Sequence, residues 1–451
     1  MNELPSVWAS RFCCDLSDKE IDAKTAVNVE SLPNLDKLPV EVAKLILDRA
    51  LQRLFVPSEQ TRRVLRELLA LCRCYSTERY PDEITFLRNI YASDGELASY
   101  EPRLRVTCLT GLPGVGKTAA ISAFQRLVGV ETIEVDGNVA FELRPAWRMT
   151  VKSGSSIRQL VGPLFRRPES LGSKTIHFTT IQRELCTQGA AIIQADELQF
   201  LTQGEGNALP ARILNWLARL GPPLVYVANY SLLHRLNRRP QEEKHRLLAK
   251  LLFMDPDTPD SADWNTFLKV LLSAIPSFAN LNPDNIGRKL WAYTFGIRRL
   301  VVVLLTEAYV AMRARNARRV NDADVDTAYC ALGYAASRCD VEILLAGLDR
   351  TDLKRRDLWC PLPRASNSRG TTNIIDHPAA QEYERRSTRA AVLTSLTPAE
   401  RQVGGIEERP SDRKTRSPAR PKATTEDLLE GAAAVLGGAK RARDTTSKHK
   451  S

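Results

Sequence analysis

The chain has no apolar run near the roughly 18 residues that a membrane-spanning helix needs, and its N-terminus lacks the basic-then-apolar pattern of an export signal. A cytoplasmic protein with no membrane partner is therefore expected. Its nine cysteines show no paired C-x-x-C spacing, and its five histidines do not accompany them. That argues against a zinc site and a disulfide framework, and for reduced thiols. Acidic residues are in deficit: 53 Asp and Glu against 64 Lys and Arg leave a net charge of +11. Such an excess suits a polyanionic partner, nucleic acid being the commonest, because cations that neutralise phosphates release counterions. Part of the excess lies in the C-terminal tail. What the chain does have is length, 451 residues of which 43% are hydrophobic, enough for two or three structural units with real cores.

Residues Gly111-Leu112-Pro113-Gly114-Val115-Gly116-Lys117-Thr118 satisfy the phosphate-loop pattern G-x-x-x-x-G-K-[ST] at every fixed position. Before them, Leu104 to Thr110 is rich in apolar and β-branched residues, as a strand should be. After them, Ala119 to Leu127 holds helix formers without Gly or Pro. Strand, glycine turn and helix are the context in which loop amides encircle a polyphosphate and a helix N-terminus favours its charge. Lys117 would neutralise the β- and γ-phosphates, and the Thr118 hydroxyl would ligate Mg²⁺. ATP and Mg²⁺ are the expected ligands, with Ala119 opening the helix beside them.

The second decisive stretch is Ala190 to Glu197, a short apolar run ending in two carboxylates. Buried parallel strands are nearly all apolar, and their ligand-facing residues sit at the carboxyl ends. Asp196 would hold Mg²⁺ and Glu197 would polarise the attacking water. A further strand, Leu224 to Ala228, ends at Asn229, placed to sense the γ-phosphate or hold the lytic water. Arg235, Arg238, Arg239, Lys244 and Arg246 then precede Leu251 to Met254, read as a fifth strand. In ring-forming ATPases an arginine just before that strand reaches a neighbour's nucleotide, which makes Arg246 the trans-acting candidate, with Arg238 and Arg239 as alternatives.

Four segments are expected. Residues 1–85 form an arm, extended to about residue 35, followed by two helices that make a small helical unit, the second capped by Ser58 or Thr61. Residues 86–255 form an α/β nucleotide-binding domain, in which Trp147 to Val151 is a strand. Ser153 to Ser156 would cap the helix that follows, and the flanking Lys152 and Arg158 are DNA-facing candidates. Residues 256–348 form a helical lid in which Arg298 or Arg299 would place a cation on the phosphates and Asn321-Asp322 would cap a helix. Residues 349–451 form a largely disordered basic tail, with one short amphipathic helix from Leu428 to Leu436.

With phosphate loop, Asp-Glu strand end, Asn229 and an arginine-bearing lid, the chain resembles an AAA+ ATPase: a parallel five-stranded sheet flanked by helices, with a helical lid. Within that superfamily, Asp196-Glu197-Leu198-Gln199, Asp255-Pro256, Asp263-Trp264 and Leu32-Pro33 make it similar to the TnsC and TniB type of transposition regulator of Tn7-like elements. The resemblance implies ATP-dependent assembly as a homo-oligomeric ring or filament on double-stranded DNA. It also implies transposase subunits and a target-selection protein of the TniQ or TnsD type as partners. A competing reading is an origin-initiator or helicase-loader ATPase, against which stands the want of an obvious C-terminal helix-turn-helix. Another is a nucleotide-gated DNA-bound scaffold with little hydrolysis, against which stands the intact Glu197. A GTPase is disfavoured because no N-K-x-D follows the fourth strand.

Overall fold

In a computed structural model, residues 6–362 are described except 30–31, 33, 100–105, 136–138, 152–156, 167–176, 199–207, 347–354 and 356. They fall in one compact unit, Met1–Glu384; the second, Arg385–Ser451, has no described residue. The expected tail helix at Leu428 to Leu436 and the expected cap at Ser153 to Ser156 therefore lie outside the described residues.

The N-terminal stretch is not an extended arm. It folds as α1 (Val7–Ser10) and α2 (Asp18–Thr25), followed by α3 (Val40–Arg53), α4 (Glu59–Arg79), α5 (Glu83–Tyr91) and α6 (Asp94–Ser99). Ser17 and Glu20 close a capping box on α2, satisfying backbone donors at both ends of the first turn. Trp8, Phe12 and Ile21 are buried in the core of the half that carries the main sheet, and Arg62 on α4 pairs with Asp22 at 2.9 Å. Three large apolar side chains taken from water outweigh the mixed charges around them.

The sheet begins with β1 (Val106–Thr110), which runs through the glycine loop into α7 (Lys117–Val128). An antiparallel hairpin follows, β2 (Glu131–Val135) with β3 (Val139–Leu143), then β4 (Ala146–Thr150), α8 (Ile157–Val161) and α9 (Phe178–Thr187). Next come β5 (Ile192–Asp196), α10 (Ala208–Ala218), β6 (Leu224–Ala228), α11 (Tyr230–Asn237), α12 (Gln241–Leu247) and β7 (Lys250–Phe253). The main sheet is parallel throughout, in the order β4-β5-β6-β1-β7. Counting its strands along the chain, the order is 5-1-4-3-2, so the first strand sits inside the sheet with the glycine loop at its carboxyl end. All five residues of β1, β5 and β6 are buried, which explains the wholly apolar β6 and the largely apolar β1 and β5, whose polar members are Thr107, Thr110, Gln194 and Asp196. The fold class is the one expected, an AAA+ type P-loop fold with a helical lid.

The lid comprises α13 (Ala262–Ser273), α14 (Pro283–Thr294), α15 (Arg298–Ala314), α16 (Asp322–Cys330) and α17 (Ala335–Leu345). Asn321 caps α16 through a capping box with Asp324, and Ser58 caps α4 by accepting from the Thr61 amide, as the sequence anticipates. The expected pairing of the first two long helices is corrected. Ala43, Leu47 and Leu51 of α3 pack with the lid core around Leu304, Leu305 and Ala308 of α15, whereas Val64, Leu65, Leu68 and Leu69 of α4 join the core around the main sheet. The segment Leu54 to Ser58 thus crosses from one core to the other. Helical periodicity marks which face is apolar but not what covers it.

Candidate functional site

The glycine loop is shaped by contacts that only its residue types permit. A Cβ on Gly111 would lie 2.1 Å from the Met254 carbonyl oxygen, so the residue that follows β7 lies too close to the loop for any side chain there. Gly116, at φ 107°, forms the left-handed N-cap of α7, a conformation that costs L-residues about 1–2 kcal/mol. Leu112 and Val115 are buried and pin the loop to the core. Lys117 is only 5% exposed, and its Nζ donates to the carbonyls of Gly111 at 2.9 Å and Leu112 at 2.8 Å. Burial pushes its ammonium down to about 8, with Asp196 opposing the shift and Arg299 reinforcing it.

One cavity of about 770 Å³ is lined by Pro113 to Ala119, Asp196, Glu197, Asn229, Met254, Arg298 and Arg299. Thr118 is exposed. Asp196, 2% exposed, ends β5 with one carboxylate oxygen 3.5 Å from the Arg148 guanidinium. Its other oxygen accepts from the Glu197 amide at 2.9 Å. Glu197 itself sits at φ 62°, an uncommon conformation for a non-glycine residue and of the kind that accumulates at functional sites. Asn229 occupies the N-cap position of α11 without spending its side chain on a cap hydrogen bond. The structure thus brings the phosphate loop, Asp196, Glu197 and Asn229 to one cavity.

Other expected residues stand differently. Arg298 lines the cavity, but its guanidinium is held by Asp257 at 2.6 Å, lies 4.8 Å over the Phe267 ring and donates to the Val56 carbonyl. It ties the lid to the segment between α3 and α4. Arg299 instead meets the loop: its amide donates to the Gly114 carbonyl at 3.3 Å, and its side chain packs against Gly114. Arg246 is exposed on α12 and 3.5 Å from Asn215 Oδ1, outside the lining of this cavity. Arg239 is paired with Glu243 at 2.7 Å, and Arg238 is exposed. Arg158 is half-buried on α8; Lys152 lies outside the described residues.

Two contributors escaped the sequence reading. One is the segment Leu51 to Val56, which lines the cavity; Phe55 is bridged to Val27 and lies under the Arg126 guanidinium of α7 at 5.2 Å. Its signal, Phe55 and Val56 just ahead of the Ser58 cap, is too short to carry a period. The other is Arg148, which reads as an outward residue of an alternating strand.

The residues present fit a nucleoside triphosphate with Mg²⁺. Carbonyls fill the inner side of the loop around Lys117, Gly111 admits nothing but backbone, and a hydroxyl and a buried carboxylate, Thr118 and Asp196, meet the cavity as hard oxygen donors. Among the described residues no group of three or more His, Cys, Asp or Glu forms a protein-only metal cage, the usual case for Mg²⁺ held largely by phosphates and water.

No protein-family model matches the chain, and no curated protein sequence matches it. Among solved structures, the chain is similar to Cdc6p from Pyrobaculum aerophilum, at 16% identity and a TM-score of 0.35, over 62% of this chain and 74% of that one. It is similar to the Aeropyrum pernix ORC1 protein, solved in complex with DNA, at 18% identity and a TM-score of 0.36, over 72% and 80%. A third is a Thermotoga maritima RuvB mutant, at 15% identity and a TM-score of 0.34, over 65% and 77%. At such scores the fold assignment rests on the strand order and loop geometry of the chain itself.

Proposed function

We propose that the chain binds ATP with Mg²⁺ in this cavity and hydrolyses it while assembled on double-stranded DNA. The observation that carries the reading is the convergence of Lys117, Thr118, Asp196, Glu197 and Asn229 on one cavity. Loop amides and Lys117 would hold the phosphates. Thr118 and Asp196 would hold Mg²⁺, whose part is to neutralise charge on the phosphate oxygens. Glu197 orients a water and takes its proton; Asn229 holds that water in line. Arg299, against Gly114, is the lid cation that would follow the phosphates, while Leu54, Phe55 and Val56 offer an apolar wall to the base. Arg246, outside this cavity, is left to act on a neighbouring copy.

The net charge of +11 supports a polyanionic partner, and Lys152 and Arg158 remain its candidate contacts. The sequence resemblance to TnsC and TniB supports the finer reading, a regulator that links a target-selection protein to the transposase in DNA transposition. The test is Glu197→Gln. It should keep ATP affinity and DNA assembly while lowering turnover by about 10²–10⁴-fold, the usual worth of a positioned base. Turnover at the wild-type rate would remove Glu197 from the mechanism. For the finer reading, strand transfer is measured with the transposase and target selector, using the full chain and a truncation after Arg420. Loss of stimulation with ATPase and DNA assembly intact assigns the tail to docking. Absence of stimulation by the full chain refutes the transposition role.

A further inference from the structure

Beneath α7 lies a polar group that no step above uses. Arg148 on β4 is the register partner of Gln194 on β5, and Thr150 that of Asp196. Alternation therefore sets Gln194 and Asp196 on one face of β5, with Arg148 one strand away, about 4.8 Å in backbone spacing. The Arg148 guanidinium donates to Ser122 Oγ at 2.7 Å and Gln125 Oε1 at 3.4 Å, both on α7, and reaches Asp196 Oδ2 only at 3.5 Å. Its Nε is buried without a partner. Gln194 is fully buried, and neither its Oε1 nor its Nε2 has a partner. Buried amides are nearly always satisfied, because desolvation without a hydrogen bond is costly. Here an orphaned acceptor stands beside an orphaned donor on the neighbouring strand.

Resting on the ATP and Mg²⁺ reading of the site, we propose that Arg148 is a positioning residue that alternates between Asp196 and Gln194. Without metal, the negative Asp196 outcompetes the neutral amide for the guanidinium. A cation on Asp196 cancels that attraction and repels Arg148, which swings back so that its Nε–H donates to Gln194 Oε1, pairing the orphaned donor with the orphaned acceptor. Because the same guanidinium holds Ser122 and Gln125, the swing reaches α7, the helix that carries Lys117 and Thr118. Gln194 is thus the alternative partner that lowers the cost of releasing Asp196 to Mg²⁺.

A double-mutant cycle tests this in the full chain, with Gln194→Leu, Arg148→Met and both together. The readout is the Mg²⁺ concentration that half-maximally enhances ATP binding, measured by calorimetry. Gln194→Leu should raise that concentration about tenfold, the worth of one hydrogen bond to a charged group, and leave metal-free ATP affinity unchanged. Its unligated Tm should rise, since a leucine leaves no orphaned amide. Gln194→Met, closer in shape, stands beside it against a folding failure. In the Arg148→Met background, Gln194→Leu should no longer move the Mg²⁺ requirement. An unchanged requirement in Gln194→Leu, or the same shift with and without Arg148, overturns the proposal. If wild-type protein shows no Mg²⁺ enhancement at all, the reading of the site fails and this proposal with it, a result distinct from a wild-type response that every variant shares.

Discussion

Replacing Lys117 by methionine should change how stability depends on pH. Lys117 is 5% exposed, and burial holds its ammonium at about 8 rather than the ordinary 10.5. Between those values an unfolded chain carries a proton on this lysine that the folded protein has shed, so wild-type stability rises as pH climbs from 8 to 10.5. At 1.36 kcal/mol per unit the gain over that window is roughly 3 kcal/mol, and methionine removes it. The vertical offset between the two proteins is less telling, because methionine also strips a donor from the carbonyls of Gly111 and Leu112, at about 1–3 kcal/mol each. The difference in slope is the clean quantity, read from urea unfolding midpoints at half-unit intervals from pH 7 to 10.5. Bound polyphosphate would restore the proton, so ATP affinity should fall as pH rises through 8. Calorimetry in two buffers of unlike ionisation heat should register proton uptake at pH 8.5. Parallel stability profiles for wild type and variant would refute the buried-ammonium argument.

The two lid arginines should separate by assay. Arg298→Ala leaves Asp257, 7% exposed at its side chain, as an unpaired buried carboxylate. The cost is about 3–5 kcal/mol and should be read as a fall in Tm, with ATP affinity per folded molecule near that of wild type. Arg299→Ala should leave Tm nearly unchanged and weaken ATP about tenfold or more, as expected for one charge-assisted contact; the reverse pattern would restore the phosphate role to Arg298. Trp8→Ala, at a residue 2% exposed in the core around the main sheet, should cost about 3–5 kcal/mol by denaturant titration, whereas a dispensable arm would tolerate it. DNA affinity measured across a salt series should fall steeply with little sequence preference; a flat response would detach the basic excess from DNA.

The parts of the molecule that were legible share a physical property: their evidence lies within a dozen residues. The phosphate loop, the apolar run into Asp196 and Glu197, the strand before Asn229 and the Ser58 and Asn321 caps each follow from local backbone chemistry. The hairpin of β2 and β3 was equally local. Glu131 to Val135 and Val139 to Leu143 flank Asp136-Gly137-Asn138, whose Asp-Gly pair is a strong turn signal between two strand-like runs. The same holds for Ser17 and Glu20, whose capping box announces α2 inside a stretch read as extended. The rest was beyond any local pattern. Whether α3 covers the lid or the sheet, and whether Arg298 meets a phosphate or Asp257, is decided by residues far away in the chain. Arg148 is the sharpest case, since a charged residue in an alternating strand normally faces water. Only the register of β4 against β5, which brings Gln194 beside it and Asp196 within reach, turns that arginine from a surface charge into a neighbour of the Asp196 carboxylate.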